Sequence, residues 1–208
     1  MPKVSPQQLE KRREEIIDAC EKIYRQKGFL GVTIQEISRE ITCTRPAIYH
    51  YFETKEEILL ALLERECAAW REALVPVKEQ ASGLAREQLA QAIARSLEGR
   101  EVLLRIQNMN LCQIEQNSRI ERLTEFKIVY QKLRMTFAGI LESYSPDSRS
   151  QERESLCLTF FAFLFGVYPF VFHTEKQLEA MERAGVKQHS VTICDMVYQC
   201  LIRLLPEQ

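Results

Sequence analysis

Residues 33 to 55 read Thr33-Ile-Gln-Glu-Ile-Ser-Arg-Glu-Ile-Thr-Cys-Thr-Arg-Pro-Ala-Ile-Tyr-His-Tyr-Phe-Glu-Thr-Lys55, and this stretch decides the fold. Ile34, Ile37 and Ile41, then Ile48 and Phe52, fall at spacings that aim two short helices at one shared core. The second helix begins after Thr44. Pro46 fits its first turn, where a missing N–H has no partner to lose. A tight turn of three or four residues joins the two, which defines a helix-turn-helix.

In such a unit the second helix offers its N-terminal residues to base edges in the major groove of DNA. The residues left facing outward here are Arg45, Ala47, Tyr49 and His50. Arginine can pair bidentately with guanine, an alanine methyl can touch thymine, and hydroxyl and imidazole groups can hold phosphates. Lys55 adds a cation at the start of the following helix, whose own N–H groups offer a phosphate site, and Thr33 adds a hydroxyl at the N-terminus of the first. Tyr51 and Phe52 read as core. The Lys11, Arg12, Arg13 cluster is followed by Glu14 and Glu15 and reads as a solvated helix face.

Working outward, Ser/Thr residues followed three positions later by Glu or Gln mark helix starts at Thr33 with Glu36, Thr54 with Glu57, Ser118 with Glu121 and Thr174 with Gln177. A helix is expected over about 7–27, with Leu9, Ile16, Cys20, Ile23 and Tyr24 inward and Gly28 as its stop. Another follows Thr54, buries Leu59, Leu62, Leu63 and Trp70, and is expected to end at Pro76. Further helices are expected at 84–98, 101–115, 119–144, 149–172, 175–184 and 189–205. In 119–144 the apolar residues Leu123, Phe126, Tyr130, Leu133, Phe137, Ile140 and Tyr144 alternate spacings of three and four, the pattern of a one-faced bundle helix. The expected fold class is therefore all-α, with a three-helix DNA-binding domain over 1–56 and a helical bundle for ligand binding and dimerisation over 57–208.

The 208-residue chain is 46% hydrophobic and 27% charged, which excludes disorder and collagen-like structure, and its seven glycines, seven prolines and scarcity of Val/Ile/Thr runs with period-two alternation argue for helices nearly throughout. Its net charge of −1 means that any affinity for nucleic acid must come from a local patch. Residues 1–55 carry ten basic and eight acidic side chains, whereas 56–208 carry 18 and 21. The N-terminus lacks the pattern of an export signal, and a cytoplasmic location is expected, on the nucleoid when bound to DNA. Residues 155–174 hold no formal charge with His173 neutral, yet Gly166, Pro169 and early hydroxyls suit a protein-buried helix better than a lipid-facing one, and no membrane partner is expected. Together with the many-sided apolar helix at 189–205, the helix at 149–172 carries more apolar surface than one domain needs, so the two are read as a homodimer interface.

The segment Ala47-Ile-Tyr-His-Tyr-Phe-Glu-Thr-Lys-Glu-Glu-Ile-Leu59 resembles the signature of the tetracycline-repressor (TetR) family of bacterial transcription regulators. The similarity extends back through Gly28-Phe-Leu-Gly-Val-Thr-Ile-Gln-Glu-Ile37 to about residue 10. The resemblance implies a homodimer on a palindromic double-stranded operator, with a divergent C-terminal domain that binds a small effector and dimerises through its last two long helices. It also implies that Arg45, Pro46 and Ala47 face bases, while Thr33, Thr44, Tyr49, His50 and Lys55 hold phosphates. Two residues depart from the pattern: Thr42 stands where the family has glycine in the turn, and Pro46 replaces a small residue.

The implied effector pocket would draw on polar or polarizable residues that interrupt apolar helices: Gln107, Asn108, Cys112, Tyr130 and Tyr168, with Phe161 and Phe165 as walls. Each of these also fits a plain core or interface role. No cofactor, metal or catalysis is expected: of the three histidines His50 is assigned to DNA, His173 and His189 have no carboxylate or cysteine partner at ligand spacing, and no phosphate loop or nucleophile elbow is present. Seven cysteines without a Cys-x-x-Cys pair read as reduced core thiols. A cysteine-based redox sensor and an effector-free architectural or division factor remain as alternatives to a ligand-responsive repressor.

Overall fold

The computed structural model describes residues 5–187 and 190–207. Among these it has no strand and eleven α-helices: α1 (Pro6–Gly31), α2 (Ile34–Glu40), α3 (Arg45–Tyr49), α4 (Lys55–Gln80), α5 (Arg86–Arg95), α6 (Glu101–Met109), α7 (Leu111–Gln116), α8 (Ile120–Tyr144), α9 (Ser150–Val171), α10 (Glu175–Arg183) and α11 (Ile193–Leu204), with a single 3-10 turn at Ala81–Gly83. They sort into two compact units. The first joins the chain up to Glu66 with Asn110–Tyr130, and the second joins Cys67–Met109 with the chain from Gln131 onward. α4 and α8 therefore contribute residues to both.

In the first unit Ile16, Cys20, Ile23 and Tyr24 of α1 are buried with Ile37, Ile48, Phe52 and the Leu59, Leu62, Leu63 face of α4. Each such side chain contributes on the order of 1.5–3 kcal/mol by leaving water. Leu9, expected on the same face, is partly exposed at the open end of α1. Gly28 breaks α1 as its sequence position predicts. Its φ of 67° and ψ of −169° lie in a region open essentially to glycine alone, and one further helical turn follows. Ser5 and Gln8 form a complete capping box at the start of α1, a signal the sequence reading passed over.

The second unit is centred on aromatics. Phe137 stacks on Phe160 with ring centroids 4.6 Å apart, Phe161 meets Phe137 edge-on, and the Trp70 indole N–H donates to Ser96 Oγ at 2.8 Å. α11 packs on α5 and α9, and α6 packs on α9.

Four expectations about the elements need correction. α4 does not stop at Pro76; it runs to Gln80, because Leu74 before the proline and Ala81 beyond it are both buried and hold the segment on course. The helix expected at 101–115 is two helices, since Asn110 leaves helical geometry and its side-chain oxygen accepts from the Tyr24 hydroxyl at 2.9 Å. Ser118 does not cap α8: its hydroxyl donates to the Ile114 carbonyl and closes α7 instead. Thr33 and Thr54 cap their helices through their own oxygens, but the return bond is absent in both, because Glu36 and Glu57 spend their carboxylates elsewhere. Thr174 with Gln177 forms the full box. Thr192 with Asp195 forms another, and α11 starts there; the earlier start expected at 189 lies outside the described residues, as does His189.

α9 is apolar enough and, at 22 residues, long enough to cross a membrane by length and composition alone. Within one chain it is not buried on all sides, for Leu158 and Phe170 are 52% and 66% exposed.

Candidate nucleic-acid interface

α2 opens on Thr33, whose Oγ1 accepts from the Glu36 N–H at 3.1 Å, leaving its own proton to donate outward. The Glu36 carboxylate would repel a phosphate here, but Lys27 and Arg39 each donate to it at 2.6 Å. These two hydrogen bonds, Lys27 first, hold the carboxyl below its ordinary range. Lys22 likewise pairs with Glu40 at the far end of the helix.

Ile41 to Thr44 form the turn. The Ser38 hydroxyl donates to the Cys43 carbonyl at 2.9 Å, and the Cys43 N–H to the Ile41 carbonyl at 2.7 Å. No described residue other than glycine has a positive φ. Thr42 thus stands in the family's glycine position without left-handed strain, because the side chain of Ser38 ties the turn in a shape that any residue can adopt.

α3 is short. Thr44 caps it by position, its carbonyl accepting from the N–H groups of Ala47 and Ile48, while its hydroxyl makes no cap bond. Ile48 and Phe52 are fully buried, and this pins the opposite face outward. Thr44, Arg45, Pro46, Tyr49 and His50 are exposed, and Ala47 is half-buried beneath them. Arg45 has no ion-pair partner among the described residues, so its guanidinium is available to a base edge or phosphate. Beside the turn, a groove of about 550 Å³ is lined by Lys11, Arg12, Thr42, Thr44 and Tyr51 among others. Arg12 pairs with Glu15 and Arg13 with Glu10 and Glu14, while Lys11 and Arg12 both border the groove and Arg13 lies over the Phe52 ring.

Lys55 is the expected residue whose surroundings differ most from an open phosphate contact. Its ammonium lies 4.2 Å from the Phe29 ring centroid and donates to the Phe29 carbonyl at 3.3 Å, so it is partly engaged within the protein. The N-terminus of α4 is also occupied: Thr54 Oγ1 takes the Glu57 N–H and donates its proton to the Asn117 carbonyl.

A polar clasp that no local sequence pattern announces joins α4 to the residue before α8. The Glu57 side chain is wholly buried, yet Arg119 donates to it from Nε at 2.6 Å and Nη2 at 2.9 Å, and its backbone N–H lies at 3.2 Å. Burial pushes the Glu57 carboxyl up, but Arg119 and the Glu53 N–H outweigh it and hold the group below its ordinary range. Arg122 donates to the Tyr51 carbonyl and lies over the Phe52 ring. The signal, a Glu and an Arg 62 positions apart, is invisible to any local pattern.

The residues named for an effector are scattered. Cys112, exposed, and Tyr130, stacked on Phe126, belong to the first unit. Gln107 is buried in the second, the Asn108 amide donates to the Phe165 carbonyl at 2.7 Å, Phe161 is in the aromatic core, and Tyr168 stacks on Phe172.

A tied turn that presents the N-terminal face of a second short helix, pinned by the buried Ile48, defines a helix-turn-helix module for duplex DNA. Comparison with known proteins agrees. Residues 16–62 match the bacterial regulatory proteins of the tetR family, and residues 64–205 match the tetracyclin repressor-like C-terminal domain. The chain belongs to the tetR family, whose members are transcription regulators and not enzymes. It is 33% identical over 72 residues to the HTH-type transcriptional repressor AcnR of Corynebacterium diphtheriae, spanning 35% of this chain and 38% of that one. A tetR-family regulatory protein from Rhodococcus RHA1 shares the fold at a TM-score of 0.64 and 14% identity, over 94% of this chain and 97% of that one. The FadR regulator of Bacillus subtilis, solved with stearoyl-CoA, does so at 0.61 and 14%, over 92% and 97%.

Proposed function

We propose that the chain is a DNA-binding transcriptional repressor that works in the cytoplasm as a homodimer on a palindromic operator and is released by a small-molecule effector. The observation that carries this is the division of α3: Ile48 is buried while Arg45, Pro46, Tyr49 and His50 are exposed on a helix held by a tied turn. In this reading Arg45, Pro46 and Ala47 meet base edges, and Thr33, Thr44, Tyr49 and His50 meet phosphates. Lys55 contributes a cation whose position is fixed by its contact with Phe29.

The homodimer is supported by the exposed apolar residues of α9, Leu158 and Phe170, with α11 completing the interface. Two recognition helices must sit about 34–36 Å apart to enter successive major grooves. An effector that favours another separation, drawing on Gln107, Asn108, Cys112, Tyr130, Phe161, Phe165 and Tyr168, would empty the DNA-competent state in proportion to its differential affinity. For Cys20, Cys157, Cys194 and Cys200 burial pushes the thiol up, away from the reactive thiolate, so a cysteine sensor would have to rest on the exposed Cys112 or the half-buried Cys43. Footprinting purified protein on the DNA beside its own coding region tests the proposal: a protected palindrome is expected, and uniform protection or none would refute it.

A further inference from the structure

Gln8, Lys11, Arg12 and Glu15 fall at spacings of three and four and form one stripe along α1. That stripe lines the groove of about 550 Å³ beside the turn, and Thr44 and Ala47, at the start of α3, line the same groove. A duplex that takes the start of α3 into its major groove lays the phosphates of the bordering strand against whatever flanks that start. Here the flank is the first part of α1.

The charges of the run Lys11-Arg12-Arg13 are not equivalent. Arg12 Nη1 lies 2.8 Å from the Glu15 carboxylate, and this pair largely cancels. Arg13 belongs to another face of the helix, three, four and seven positions before the buried Ile16, Ile17 and Cys20. It pairs with Glu10 and Glu14 and lies over the Phe52 ring. Lys11 is exposed and has no ion-pair partner among the described residues. The groove therefore keeps one net positive charge, and Lys11 carries it.

Gln8 adds a directed donor one helical turn away. Its Oε1 accepts from the Ser5 N–H at 3.0 Å in the capping box of α1, which leaves the amide NH2 to donate. An ammonium and an amide donor thus stand side by side, and the nearby carboxylate is already taken by Arg12. A lysine on its flexible stem is a point charge for phosphate, so it contributes affinity to every sequence alike.

We propose that the first turns of α1 are a second DNA-contacting element, with the Lys11 ammonium and the Gln8 amide on the phosphodiester backbone of the strand that borders α3. The basic run is thereby divided: Lys11 serves DNA, Arg12 serves Glu15, and Arg13 serves the Phe52 core. The identity of the partner in the groove rests on the reading of α3 as the DNA-facing helix.

The test is anisotropy titration of the full-length protein with a labelled duplex of mixed sequence and with the footprinted operator, repeated over a range of salt. Lys11→Gln should weaken both duplexes by a similar factor and lower the salt slope by about one, the mark of one lost phosphate contact. Lys11→Arg should keep the slope of wild type. Arg13→Gln removes the same charge from the same run and should leave the slope unchanged, which separates a local contact from bulk charge. Gln8→Glu keeps a capping-box residue but points a carboxylate oxygen at the strand, and should weaken both duplexes. An unchanged slope in Lys11→Gln, a reduced one in Lys11→Arg, equal slope losses in Lys11→Gln and Arg13→Gln, or wild-type affinity in Gln8→Glu would overturn the proposal. Arg45→Ala on the same duplexes separates the two readings. If it loses operator preference while Lys11→Gln behaves as wild type, only the role of α1 is wrong; if it keeps full preference while Lys11→Gln loses slope, only the role of α3 is.

Discussion

Glu57 on α4 and Arg119, the residue before α8, form a two-point clasp, Oε1 to Nε at 2.6 Å and Oε2 to Nη2 at 2.9 Å, around a carboxylate that solvent does not reach. Removing the arginine strands a buried charge, whereas replacing the carboxylate with an amide keeps the shape. Arg119→Ala should therefore lower the melting temperature more than Glu57→Gln does.

The clasp also sets a pH dependence. Glu57 is held below its ordinary value, so its contribution is present above the unfolded carboxyl pKa of about 4.3 and is lost as pH falls through the folded value. The gap in melting temperature between wild type and Glu57→Gln should be constant near neutrality and close as pH drops below about 4. A gap that widens on acidification would contradict the clasp.

Glu64 should behave in the opposite sense. Burial pushes its carboxyl up, with Arg13 and Arg122 opposing and Glu125 and Glu14 reinforcing. A raised folded pKa gives stability that is full below the unfolded pKa and lost as pH rises through the folded one. Glu64→Gln should thus melt higher than wild type at neutral pH, and the advantage should vanish in acid.

Much of this molecule is legible in its sequence because the deciding signals are local. The apolar spacing of Ile34, Ile37 and Ile48 placed the helix-turn-helix, and Phe126, Leu133, Phe137 and Ile140 placed the buried face of α8. What escaped depends on partners far along the chain. The break at Asn110 waits on Tyr24, the continuation past Pro76 on burial at Leu74 and Ala81, and the position of the Lys55 ammonium on Phe29. Thr42 looked like a liability only because the bond from Ser38 to Cys43 could not be seen.

Gly28 gives a test of backbone geometry. Its φ of 67° and ψ of −169° are closed to side-chain-bearing residues, so Gly28→Ala should destabilise the protein. The expected cost is about 1–3 kcal/mol in denaturant unfolding.

Leu158 and Phe170 test the assembly. If α9 forms the proposed dimer interface, a charge placed at either, Leu158→Glu or Phe170→Glu, should leave a monomer in sedimentation without lowering helix content, since both side chains are already exposed in the single chain. Unchanged sedimentation in both would move the interface elsewhere.

Recognition by α3 is tested most directly by titrating wild type, Arg45→Ala and Lys55→Ala against operator and scrambled duplexes over a range of salt. Arg45→Ala should cost about 1–3 kcal/mol on the operator and narrow its advantage over the scrambled duplex. Lys55→Ala should weaken both alike and lower the salt slope by about one or less, given its contact with Phe29. Equal losses for the two variants on both duplexes, or a wild-type protein indifferent to DNA at low ionic strength, would contradict the account.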